Sequence, residues 1–281
     1  MRRSAFRTSP DASPDRALVT ARGRPVLLFV VLGGLMVLLL AVPVVMLLWR
    51  GLTSDPLRLL SDPMLRAALR LSAVTSSVST FIAAILGMPL AYLLARNRFT
   101  GRTLLEVLVD LPIVLPPSVA GIALLVAFGR RGLLGAALAP LGISLPFTTA
   151  AVVLAQVFVA APLFIRAARL GFNAVDAQLE EAAYTEGASQ WQLFRHVMFP
   201  LTGRALFAGL VLCWARALGE FGATILFAGN LPGVTQTMPL AIYIGFQQDL
   251  GVALALASIL LLISGLVLAV LRKIESEAWL Y

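Results

Sequence analysis

The chain has 281 residues, 59% hydrophobic and 13% charged, against roughly 45–50% and about 25% in soluble domains. That balance reads as a polytopic membrane protein, and its net charge of +8 sits on short segments between apolar runs, where it sets topology and does not form a nucleic-acid patch. A single lysine (Lys273, followed by Ile-Glu), a single histidine (His196) and a single cysteine (Cys213) exclude a GxxxxGK[ST] phosphate loop, a two-histidine zinc helix and CxxC chemistry.

In chain order, residues 1–24 are polar, carry six arginines and predict a basic tail without fixed structure. The apolar run 25–49 exceeds the about 7–15 residues of a signal-peptide core and is expected to stay as a first span. Further spans are expected near 67–95, 107–128, 148–170, 203–228 and 252–271, each close to or beyond the about 20 residues that cross the hydrocarbon core. The expectation is therefore an all-α protein with six transmembrane helices over 25–271, a polar loop at 171–202 and a short tail at 272–281. With the N-terminus inside, fifteen of the 22 basic residues fall on the cytoplasmic side: the tail arginines, Arg96, Arg98, Arg102, Arg166, Arg169, Arg195, Arg204, Arg272 and Lys273. Arg50, Arg58, Arg66, Arg70, Arg130 and Arg131 fall outside. The positive-inside rule then places both termini and the loop in the cytoplasm.

Inside the second span, Ser76 belongs to a run of hydroxyls that either pack against neighbouring helices or line a pathway. The third span opens on Asp110-Leu-Pro-Ile-Val-Leu-Pro116-Pro117. Its prolines remove backbone donors, so the helix must kink or break there, at a place lined by protein or water.

The loop is the one long polar passage in the oily chain. Glu181, Ala182 and Ala183 open a helix, which Gly187, followed by Ala188, interrupts, glycine costing about 1 kcal/mol against alanine. A second amphipathic piece carries Trp191, Phe194 and Val197, and Pro200 is expected to close it before the next span. The fifth span holds the sharpest feature, Ala215-Arg-Ala-Leu-Gly-Glu-Phe-Gly-Ala-Thr224. Arg216 and Glu220 share a helix face at this spacing and can pair, and an intramembrane charge is a functional hypothesis. In the segment beyond, 229–247, Asn230-Leu-Pro-Gly reads as a turn, while Thr235 and Gln236 offer neutral donors near an outer mouth.

The pattern Glu181-Ala-Ala, three residues, Gly187, nine residues, Val197-x-Phe-Pro200 resembles the cytoplasmic loop of ABC-importer permeases, with Val197 and Phe199 as conservative departures. The Arg216–Thr224 block resembles the molybdate and sulfate branch of that family, Leu111-Pro-x-Val-Leu-Pro-Pro117 is similar to segments of permeases for oxyanions, and Gly229-Asn-x-Pro-Gly with Thr235-Gln-Thr-x-Pro-Leu-Ala-x-Tyr243 looks like the molybdate members. The resemblance covers about 67–271. It implies type I ABC-importer architecture, a homodimer, two copies of a cytoplasmic ATPase docked on the loop, an extracytoplasmic oxyanion-binding protein and a prokaryotic cell membrane. ATP and magnesium would then be held by the partner ATPase, with no cofactor, metal or catalytic residue on this chain. The implied cargo is molybdate, with sulfate, thiosulfate or tungstate as the alternative. A self-contained secondary transporter fits less well, given the loop and the lack of a second acidic residue within a span core.

Overall fold

The computed structural model describes the backbone of residues 23–54 and 62–277 and the side chains of 27–54 and 62–269. The expected tail lies outside the described residues except for its last two positions. Among the described residues every regular element is helical, and six helical stretches are long and apolar enough to cross a membrane.

The first helix, α1 (Gly23–Leu52), is apolar between Arg24 and Arg50 and belongs up to Trp49 to a compact unit of its own. The second unit begins at Arg50. Within it, α2 (Pro63–Arg96) starts where the Asp62 carboxylate accepts from Met64 N–H at 2.8 Å, and Pro63 supplies the preset first turn. α6 (Thr149–Ala174) starts at the hydroxyl of Thr148, which accepts from Ala151 N–H.

Three apolar clusters hold the second unit. α2, α6 and α9 (Phe199–Leu218) enclose Ala83, Ala91, Phe164, Phe172, Leu206 and Cys213. α6 packs with α4 (Pro117–Phe128) and α10 (Gly222–Phe227) around Leu124, Val152 and Phe227. The start of α2 packs with α11 (Met238–Gln248) and α12 (Leu250–Glu277) around Leu65, Met238 and Leu256. Small residues at the crossings let the backbones approach, which is how helices associate where lipid offers no hydrophobic drive.

Two expected spans are drawn differently. The third divides: α3 (Arg102–Val114) ends, Leu115 and Pro116 are extended, and α4 starts at Pro117. The stretch long enough to span is Pro117–Leu141, because α4 is followed by α5 (Leu133–Leu138) and a 3₁₀ turn at Ala139–Leu141. The prolines break the helix rather than kink it.

The fifth span also shifts. Pro200 does not close a helix; it sits in the first turn of α9, and the helical stretch runs unbroken from Gln190 to Leu218. α8 (Gln190–Leu193) passes through a π-helical turn, Phe194–Met198, in which Phe199 N–H bonds the Phe194 carbonyl. That wider turn accommodates a proline that would otherwise clash with the preceding turn. The stretch then ends at Leu218, ten residues short of the expected 228, and α10 follows separately.

Candidate functional site

At the loop, α7 (Ala177–Thr185) begins at Asp176, whose carboxylate accepts from Gln178 N–H at 2.9 Å. It ends in a Schellman motif: Gly187 N–H bonds Tyr184 O at 3.0 Å, Ala188 N–H bonds Ala183 O at 2.9 Å, and Gly187 has φ +83°. Gly187 is therefore the left-handed stop of α7, a more specific role than a weak point in a helix. Ser189 then starts α8 with a capping box: its hydroxyl accepts from Gln192 N–H at 3.3 Å, and the Gln192 side chain accepts from Ser189 N–H at 2.8 Å.

Glu181 and Ala182 are exposed, Ala183 is half-buried against the first cluster, and Leu193 and Met198 are fully buried. α7 is tied to α2 by Arg96, whose Nη2 lies 2.8 Å from Glu180 Oε1 and donates to Val175 O at 2.7 Å. Tyr92 stands edge-on to Phe172 and Phe194, each with centroids at 5.4 Å, and Trp191 stacks on Phe194 at 5.9 Å. On α3, Asp110 pairs with Arg166 at 3.1 Å, and Glu106 pairs with Arg169 at 3.2 Å and Arg102 at 3.0 Å. Sequence reading singled out neither Arg96 nor Glu180 as a site residue. A basic residue in the last turn of a span was the available signal, but its partner lies far along the chain.

At the other end of the continuous helix lies the second feature. α9 stops at Leu218, yet Arg216 and Glu220 do pair, Nη1 to Oε2 at 2.7 Å. The pairing therefore spans a helix end and does not depend on one helix face. The Glu220 side chain is 1% exposed and that of Arg216 34%. The other carboxylate oxygen of Glu220 accepts from Ala223 N–H at 2.8 Å, which satisfies an otherwise orphan donor in the first turn of α10.

The two breaks meet. A Cβ on Gly222 would lie 2.6 Å from Pro117 Cβ, and one on Gly121 would lie 2.9 Å from Ala223 O. Pro116 and Pro117 are exposed at the start of α4. The structure thus brings Pro117 beside the segment that carries Glu220, a juxtaposition that neither stretch announces by itself.

Ser76 is different: it is fully buried and its hydroxyl bonds Ala73 O at 3.3 Å. It belongs to a buried stripe with Ser72, Thr75 and Ser79 that packs inside the subunit; Ser79 Oγ donates to Gln156 Oε1 at 2.9 Å, and Ser72 Oγ accepts from Met238 N–H at 2.7 Å. Thr235 is also fully buried, not displayed at a mouth, because its hydroxyl accepts from Leu231 N–H at 2.8 Å and closes the turn. Gln236 is 6% exposed, while Asn230 is half-buried. Polar residue type suggested an open surface for Thr235; turn closure explains its burial. The expected outer segment is largely helix, α11, which the sequence reading did not assign.

Residues 83–277 match the family described as binding-protein-dependent transport system inner membrane component. The chain belongs to this family. Among curated relatives of this chain, the molybdenum transport system permease protein ModB of Escherichia coli is 43% identical over 216 residues, covering 73% of this chain and 94% of that protein. The sulfate transport system permease protein CysT of Escherichia coli is 36% identical over 219 residues, covering 78% and 79%. A solved bacterial ABC transporter involved in the import of the acidic polysaccharide alginate matches with a TM-score of 0.71 at 17% identity, covering 92% of this chain and 99% of that one. The fold is thus that of ABC-transporter membrane chains, and the protein is a multi-pass membrane permease.

Proposed function

We propose that this chain is the membrane subunit of an ATP-driven molybdate importer in a prokaryotic cell membrane. It works as a homodimer, with two copies of a separate cytoplasmic ATPase and an extracytoplasmic oxyanion-binding protein, and both its termini face the cytoplasm. The observation that carries this reading is the uninterrupted helix from Gln190 to Leu218, which joins the loop to the Arg216–Glu220 break in one continuous stretch. The ATPase docks on exposed α7 residues, Glu181 and Ala182 among them, with Gly187 and Ala188 shaping the loop and Pro200 in the first turn of the helix that leaves it. ATP-driven closure of the two ATPases then moves the two loops together and the rods with them, a rigid-body switch of the kind that repacks a symmetric interface. At the far end, the Pro116–Pro117 and Gly219–Gly222 breaks lie at the seam and form its gate.

A tetrahedral dianion is costly in hydrocarbon without donors. Arg216, one-third exposed, supplies the charge. The burial of Ser76 supports a packing role for it, and the burial and turn-closing bond of Thr235 support a role in shaping the turn. Molybdate is favoured over sulfate by the higher identity to the molybdenum permease over nearly its whole length.

The test is ATP hydrolysis by the purified complex in liposomes with its binding protein. Stimulation by molybdate and tungstate but not sulfate is expected. Stimulation by sulfate alone would replace the cargo and keep the architecture, and a chain that retains no ATPase would overturn the reading.

A further inference from the structure

Glu220 does two jobs with its two oxygens. One accepts from Ala223 N–H at 2.8 Å, and the other lies 2.7 Å from Arg216 Nη1. Its own N–H bonds Ala217 O at 3.2 Å, back into the last turn of α9. One carboxylate, 1% exposed, therefore ties the end of α9 to the start of α10 and also fixes a guanidinium whose side chain is 34% exposed. A cap alone would need only a neutral oxygen. The charge is needed only for Arg216, because a buried carboxylate without its cation is expensive in so apolar a setting.

We infer that Glu220 is a positioning residue that sets where Arg216 meets the anion and makes that position depend on the break between α9 and α10. This rests on Arg216 being the cation of the pathway. When the rod moves, Arg216 travels with α9, while Ala223 stays with α10, which is lodged against Pro117 through Gly222. Glu220 spans the two, so rod movement changes how much of the Arg216 charge it holds and how much it leaves for the anion. The hold of Arg216 on the anion is coupled to the rod through this one side chain.

A double-mutant cycle on the full complex in liposomes separates this role from simple capping. Glu220→Gln keeps an oxygen for Ala223 N–H and removes the charge. Uptake is expected to fall at least ten-fold in Glu220→Gln and in Arg216→Gln, with the anion concentration for half-maximal uptake raised in both, and the double variant is expected to be no worse than Arg216→Gln. Losses that multiply in the double variant, full uptake by Glu220→Gln, or a loss of uptake with that concentration unchanged would overturn the inference in favour of a purely structural role. If Glu220→Gln fails to assemble, assembly regained in the double variant supports the pairing, and failure of both variants overturns it. The cycle is run with whichever oxyanion the wild-type complex imports, so that a cargo other than molybdate counts against the cargo alone.

Discussion

The two ends of the Gln190–Leu218 rod are built on opposite physical plans. At the loop end, long side chains reach across a gap: Arg96 spans from α2 to Glu180 and Val175, aromatic rings lean on one another, and an open groove of about 1040 Å³ runs alongside, lined by Tyr92, Tyr184 and Trp191 among others. At the break, contact is made by the lack of side chains, with Gly222 on Pro117 and Gly121 on Ala223, and with a single buried carboxylate inside. The first arrangement suits a surface that must receive a partner and yield to it. The second leaves no room, so its elements move as rigid pieces or not at all. Interiors packed this tightly switch between discrete states rather than deform.

The largest effect is expected where the packing is tightest. Gly222→Val would drive its side chain into Pro117, a rigid ring at the start of a helix, with Ser118 N only 3.3 Å from the added Cβ. Overpacking costs about 1–3 kcal/mol, and the upper end is expected because neither neighbour can rotate away. A lowered melting temperature of the purified subunit, with loss of uptake, checks this; wild-type stability would mean that the two breaks are not in contact.

Arg96→Ala is expected to have the next largest effect. It leaves Glu180, whose side chain is 17% exposed, without its cation and Val175 O without its donor. Removing one partner of a buried pair costs about 3–5 kcal/mol, and partial exposure brings this to roughly 1–3. The effect should stay local. Hydrogen exchange over 176–188 is expected to speed up at least ten-fold while the core of α6 is unchanged, and Glu180→Gln in the same background should recover part of the protection. Unchanged exchange in Arg96→Ala would show that the aromatic rings alone hold α7.

Much of this was legible in the sequence, for reasons tied to particular residues. The number of spans was visible because a backbone in lipid must bond within itself over a fixed thickness, so length and apolarity suffice, but these do not mark where the third breaks or the fifth begins and ends. The loop and the Arg216–Glu220 pair were visible because their partners are close in sequence. The Arg96–Glu180 link was not, since nothing local marks a pair so far apart. Pro200 misled because the usual proline effect is absorbed by a π turn, which local propensity does not announce. Thr235 misled because a hydroxyl that closes a turn has the same composition as one that greets a ligand.

The smallest effect sharpens the comparison from the loop side. Gly187 has no atom within 4 Å of where a Cβ would stand, so Gly187→Ala adds no clash and tests φ +83° alone. A left-handed conformation costs an L-residue about 1–2 kcal/mol. Because α7 needs this residue to stop and turn, that strain is expected to loosen the Schellman bonds to Ala183 and Tyr184 and weaken retention of the ATPase about five-fold. Co-purification at graded salt measures this, and Gly187→Asn should recover most of the loss, since asparagine tolerates the left-handed region. If Gly187→Ala binds as well as wild type, the partner does not read the bend of α7, and the loop end would be a simple charged surface rather than a shaped one. Gly222→Val has no such rescue by a residue with a softer φ preference, because its cost is volume. A loss at Gly187 cured by asparagine, beside a loss at Gly222 that asparagine cannot cure, would separate a site that needs a conformation from one that needs space.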